Sequence, residues 1–160
     1  MSYSISISIA DQILKLFQDG KPLKQYRVST ALNGIGSEKG SGKTPLGKHI
    51  IRAKIGEGLP INSVLVGRRP TGEIYSRELG EQNPQRDWIL SRILWLSGCE
   101  IGKNRLGQVD TMQRYIYLHG TPDTEPMGTP KSHGCIRMRN QDIIDLFDKI
   151  DAGTQVDISA

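Results

Sequence analysis

Ser132-His133-Gly134-Cys135, with His119-Gly120 sixteen residues upstream of the cysteine, collects the residue types that thioacyl chemistry requires. A cysteine thiol is mostly protonated near neutrality, so it needs an imidazole to take its proton or to stabilise the thiolate. His119 is the preferred base, and its second ring nitrogen then needs an acceptor that fixes the tautomer. His133 is the alternative. Gly134 lets a substrate come close to the backbone, and the consecutive N–H groups of His133, Gly134 and Cys135 can turn toward a developing oxyanion. The stretch 121–131, rich in Pro and Gly, is a loop able to bring the chain back from His119 to the sulfur. The usual fate of a free cysteine, a small partly buried residue, suits Cys99 better than Cys135.

Two other chemistries compete for these residues and their neighbours. His119, His133 and Cys135 could ligate zinc, but His-x13-His-x-Cys matches no common zinc spacing, and the last two would have to converge across one glycine. No metal and no cofactor are therefore expected. Gly42-Lys43-Thr44 has the ending of a phosphate loop, yet Ser37 stands where the first glycine belongs, and Pro45 and Gly47 follow where a helix should open. It reads as a turn feeding the next strand. His49 has no partner nearby and reads as a surface or packed histidine.

The elements that must position Cys135 follow from periodicity. Tyr3, Ile5, Ile7 and Ile9 alternate with serines as in a half-buried strand, and two further runs around Asp19-Gly20 predict a hairpin. Residues 33–48, dense in glycine, read as loop, and 49–55 restores a strand. The segment 67–88 holds Pro70, Gly72, Gly80 and Pro84 among many charges and reads as an exposed excursion with at most a short helical turn. Strands are expected at 92–96 and 115–118, the second delivering the chain to His119 at its end. Ile143, Ile144, Phe147 and Ile150 fall at helical spacing, which predicts a helix over 140–151 capped by Asn140 and ended before Gly153. A closing strand is expected at 155–158. These elements make residues 1–160 a single, mainly β domain with one main C-terminal helix.

Composition narrows the function classes. With 36% hydrophobic residues in 160, the chain can bury one good core, and it contains no apolar run of membrane-spanning length. The balance of 21 Lys and Arg against 17 Asp and Glu gives a net charge of +4, mild for a nucleic-acid binder, and 6% aromatics offer little for base stacking. Neither a nucleic-acid nor a membrane partner is expected. Met1 to Ala10 lacks the pattern of a secretory leader, so the expected setting is cytoplasmic, or periplasmic if a leader has been removed. In a reducing compartment Cys99 and Cys135 read as free thiols.

His119-Gly120-Thr121, Gly128, Ser132-His133-Gly134-Cys135-Ile136-Arg137-Met138, then Asp142 and Leu146, resemble the signature of the L,D-transpeptidase catalytic domain, the YkuD family. Asp19-Gly20, Val28-Ser29 and Thr44-Pro45-Leu46-Gly47 resemble that family's first hairpin and its Thr-Pro-x-Gly turn, whereas 55–110 shows little that matches. The resemblance implies a compact β-sandwich-like domain that cleaves the bond between the L-centre of meso-diaminopimelate and the terminal D-alanine of a murein tetrapeptide or muropeptide. It also implies roles: Cys135 as nucleophile, His119 as acid/base, the Gly120 carbonyl as the acceptor orienting it, and His133, Gly134 and Cys135 as the oxyanion hole. Arg137 and Ser132 would meet the substrate's carboxylates. Cytoplasmic placement would make water the acceptor, giving an L,D-carboxypeptidase of peptidoglycan recycling that releases D-alanine. An L,D-transpeptidase that builds crosslinks or exchanges D-amino acids stays open, as does a non-catalytic murein-peptide binding module.

Overall fold

The computed structural model describes residues 2–160. The alternation near the N-terminus becomes three antiparallel strands, β1 (Tyr3–Ser8), β2 (Ile13–Gln18) and β3 (Lys21–Ser29). Asp19 and Gly20 both take positive φ, 50° and 80°, the turn whose twist matches the strands it joins. There follow β4 (Gly47–Ile55), β5 (Ser63–Val66), β6 (Arg69–Ile74), a short helix α1 (Arg77–Gln82) and the long β7 (Ile89–Gly98). The chain ends with β8 (Tyr117–Thr121), β9 (Ile136–Arg139), helix α2 (Asn140–Lys149) and β10 (Gln155–Ser159).

The ten strands form one sheet in the order β4-β10-β1-β2-β3-β9-β8-β7-β5-β6, and β4 also pairs with β7. That extra pairing closes eight strands into a ring. Residues 93–98 of β7 pair with β4, while Ile89 and Leu90 pair with β5, so the β5–β6 hairpin extends from the closed part as a flap. Inside, Ile5, Ile7, Leu14, Leu16, Leu94, Leu96, Leu118, Ile136 and Met138 pack with Ile143, Leu146 and Phe147 from α2 into the main core. The mainly β class with one main helix is as expected.

Four local expectations change. The excursion 67–88 contains a strand, β6, whose Pro70 and Gly72 are tolerated because it lies at the sheet's edge. A strand also follows Cys135 directly: β9, where Ile136 and Met138 alternate with arginines. β8 starts at Tyr117 rather than Tyr115 and runs two residues past His119, so the histidine sits mid-strand. Finally, Asn140 does not cap α2; the helix ends at Lys149, and the Asn140 amide is wholly buried, accepting from Ser91 Oγ at 2.7 Å and donating to the Thr121 carbonyl at 2.8 Å.

Candidate active site

The feature that assembles the site is the parallel pairing of β8 with β9. Parallel neighbours need a crossover of a dozen or more residues, and the crossover here is 122–135, the loop that ends in Cys135. The register sets His119 beside Arg137 and Leu118 beside Ile136, which leaves Cys135 level with Tyr117 at the mouth of the pair. Leu118, Ile136 and Met138 turn into the main core. Tyr117, His119, Cys135 and Arg137 therefore share the opposite face, where Tyr117 and Cys135 pack with Leu65 and Ile93. At about 3.3 Å per residue, His119 lies roughly 7 Å along β8 from Tyr117. A separation of sixteen in sequence thus becomes a short distance along one face.

His119 is 1% exposed, and its Nδ1 lies 2.7 Å from the Gly120 carbonyl oxygen. A carbonyl only accepts, so Nδ1 carries the proton and Nε2 of the neutral ring keeps a lone pair. Burial pushes the His119 pKa below its ordinary 6.5, partly offset by that same hydrogen bond, which favours the charged form. The ring is a neutral base with a fixed tautomer. Gly120 supplies this carbonyl because only glycine fits: a Cβ would strike the Asn140 side-chain oxygen and the Leu90 carbonyl.

Cys135 is partly buried by the same packing, and the loss of water drives its thiol up to about 12. Its sulfur receives the Tyr117 N–H at 3.3 Å and lies 3.3 Å from the Tyr115 carbonyl, to which the thiol donates. The resting pair is therefore thiol plus imidazole rather than thiolate plus imidazolium. Nearby guanidinium groups of Arg137 and Arg114 pull in the opposite direction and favour the anion.

The loop before the sulfur is tied from three sides. Gly134 sits at φ 129°, and a Cβ there would come within 3.2 Å of Ile116 Cδ1 and 3.3 Å of the Lys43 carbonyl. Thr44 Oγ1 donates to the Gly134 carbonyl at 2.9 Å while accepting the Ala31 N–H at 3.0 Å, so Gly42-Lys43-Thr44 is a structural brace for the cysteine loop. Arg114 reinforces it by donating to the Lys43 carbonyl at 2.7 Å. Ser132 departs from its expected role. It is buried, its hydroxyl accepts the Gly134 N–H at 3.2 Å and donates to the Cys135 carbonyl, so it holds the loop and does not face a ligand. That bond also takes the Gly134 N–H out of the expected oxyanion set, leaving the N–H groups of His133 and Cys135.

Arg137, expected to meet substrate carboxylates, is paired in the structure with carboxylates of the protein's own. Its Nη2 is 3.0 Å from Asp87 Oδ1 and its Nη1 is 3.9 Å from Glu125. His133 is largely exposed, with Nδ1 3.4 Å from the other Asp87 oxygen, which makes it a rim residue, whereas His119 is the buried imidazole. Pro84, Asp87, Trp88, Thr121, Glu125, His133 and Arg137 line a pocket of about 210 Å³ beside the nucleophile loop. Asp87 gave no sequence signal, since 46 and 50 residues separate it from its two partners. The braces Thr44 and Arg114 were equally silent, although Thr44 lies within the Thr-Pro-x-Gly turn.

Comparison with known proteins bears on the whole chain. Solved structures with this fold include an L,D-transpeptidase from Mycobacterium smegmatis, 18% identical with a TM-score of 0.62, covering 99% of this chain and 59% of that one. Another is L,D-transpeptidase 3 from Mycobacterium tuberculosis in complex with a faropenem-derived adduct, 16% identical with a TM-score of 0.60, covering 99% and 60%. Among curated relatives, the "Probable L,D-transpeptidase YbiS" of Escherichia coli K12 is 46% identical over 43 residues, 27% of this chain and 14% of that protein. The chain thus matches about three fifths of these structures and a much smaller part of the curated relative. The family model described as the L,D-transpeptidase catalytic domain, YkuD, matches residues 2–158, and the chain belongs to that family.

Proposed function

We propose that this domain cleaves the L,D bond between meso-diaminopimelate and terminal D-alanine in a murein tetrapeptide, holds the acyl group as a thioester on Cys135 and passes it to an acceptor amine. The observation that carries this reading is the neutral His119, with its tautomer fixed by Gly120, on the same face as a protonated Cys135. Nε2 of His119 takes the thiol proton as sulfur attacks the carbonyl carbon, and the oxyanion is met by the N–H groups of His133 and Cys135. The imidazolium then returns the proton to the departing D-alanine nitrogen, and the C–N bond breaks. In the second half-reaction the acceptor attacks the thioester, His119 removes its proton, and the sulfur leaves and is reprotonated.

Hydrolysis of the same thioester is a second reading, and Asp87 favours it. It bridges Arg137 and His133 in the wall of the adjoining pocket, where water needs less room than a bulky amine. An enzyme of that kind would be an L,D-carboxypeptidase acting on free murein peptides, as a cytoplasmic setting would require. Mass spectrometry of tetrapeptide incubated with the protein, with and without added D-amino acid, separates the two. An exchanged tetrapeptide means transpeptidation, tripeptide alone means hydrolysis, and unchanged tetrapeptide in both arms contradicts the proposal.

A further inference from the structure

Arg68 stands at the tip of the β5–β6 hairpin, after Gly67, and both residues take positive φ, 66° and 55°. Such a turn favours Asn, Asp or Gly, so a long cationic side chain there has no backbone reason to be present. Its guanidinium carbon lies 4.7 Å from the Trp95 ring centroid and 4.8 Å from that of Tyr115, and Nη1 donates to Tyr117 Oη at 2.9 Å. Among the described residues, no carboxylate lies within ion-pairing distance of it. Both tyrosines also hold the nucleophile: the Tyr115 carbonyl accepts from the Cys135 sulfur, and the Tyr117 N–H donates to it. The arginines around the site thus differ: Arg114 is spent on the Lys43 carbonyl of the brace, and the other two part company. Arg137, at the His119 level of β8, is occupied by Asp87, whereas Arg68, at the Tyr117 level, stacks on aromatic rings with most of its donors unused by any acid.

We propose that Arg68, framed by Trp95, Tyr115 and Tyr117, is a second carboxylate subsite, which holds a carboxylate of the peptide on the side of Cys135 away from Arg137. Stacking fixes the plane of the guanidinium and lowers the cost of ordering it, and a planar fork of N–H groups suits a carboxylate. This inference rests on the proposed murein-peptide substrate, which carries more than one carboxylate. The ligand group is either the second carboxylate of diaminopimelate or the terminal carboxylate of D-alanine, and amidation of one or the other distinguishes them.

The test compares Arg68→Gln with the unaltered protein on three tetrapeptides: the free acid, one amidated on the diaminopimelate side chain and one amidated at its C-terminus. Arg68→Gln is expected to raise KM for the free acid about tenfold, the scale of one charge-assisted pair, while kcat changes less than about twofold. The penalty should vanish for whichever amide lacks the matching carboxylate, and Arg68→Lys, which keeps the charge but loses the stacked planar fork, should recover only part of the affinity. An equal rise in KM for acid and both amides would show an arginine that only covers aromatic rings, and overturns the subsite, as does an unchanged KM. If the unaltered protein leaves all three peptides intact, the proposed substrate fails and the inference falls with it. Turnover by the unaltered protein with no effect of Arg68→Gln removes the subsite alone.

Discussion

The β8–β9 pair and the excursion from β5 to Trp88 build opposite walls of one site by different means. In the first, backbone ladders fix His119 and Cys135 with buried side chains around them, and every polar contact of the reacting groups goes to the backbone: Gly120, Tyr115 and Tyr117. In the second, an edge hairpin, a six-residue helix without buried residues and the loop that follows it carry exposed charges, and besides Leu65 of β5, packed on Tyr117 and Cys135, their links to the site are the polar side-chain contacts of Arg68 and Asp87. Side-chain ion pairs at a rim are weak and replaceable, while a strand register is not. In the proposed mechanism the labour is divided accordingly: the ladder sets the chemistry, and the excursion sets what reaches it.

The comparison can be broken first at the ladder, where the largest effects belong. His119→Gln should lower kcat by roughly 10² to 10⁴, since it removes the acid/base. A near-normal rate in steady-state assays would move that role to His133. In the unaltered protein the base must be neutral, and burial holds the His119 pKa below 6.5, so kcat/KM should stay flat as pH falls to that value and drop only beneath it. An acid limb at or above 6.5 would contradict a buried, desolvated base. Next comes Gly134→Ala, which forces a side chain into a positive-φ position against Ile116 and the Lys43 carbonyl. A cost of about 1–3 kcal/mol in denaturant unfolding is expected, with activity falling further than stability because the cysteine loop shifts.

The smallest effect is expected on the excursion. Asp87→Asn keeps the fold, loosens Arg137, and should lower KM a few-fold for peptides with free carboxylates, leaving kcat nearly unchanged. Asp87 is half-exposed, so only a modest effect is in reach. A large loss of kcat in this variant would show that Asp87 positions the reacting groups, and that the excursion shares in the chemistry.

The same contrast explains what could be read from the sequence. The N-terminal hairpin, the C-terminal helix and the cysteine loop are legible in an alternating 3–9 run, a two-residue Asp-Gly turn, helical spacing in 143–150 and the Ser-His-Gly-Cys string, because local rules govern each of them. β9 went unseen, being four residues long and hidden between a loop and a helix, although Ile136 and Met138 alternate as a strand should. β5 and β6 were obscured by Pro70 and Gly72, which punctuate a sequence but are harmless at an edge. By residue type alone, Ser132 and Asn140 suit the roles such side chains most often fill, a ligand contact and a cap. Burial gave them others: both satisfy backbone groups around the crossover. Asp87 and Arg68 depend on folding across tens of residues and on no periodicity, so nothing short of the fold could place them.

In the proposed mechanism Cys135 carries the acyl group. Intact-protein mass spectrometry after brief mixing with murein tetrapeptide tests it most directly, alongside Cys135→Ala. The expected result is a mass increase equal to the peptide less D-alanine, reversed by hydroxylamine, mapped to Cys135 rather than the exposed Cys99, and absent from the variant. Turnover of the tetrapeptide by Cys135→Ala, or an adduct on another residue, would contradict it.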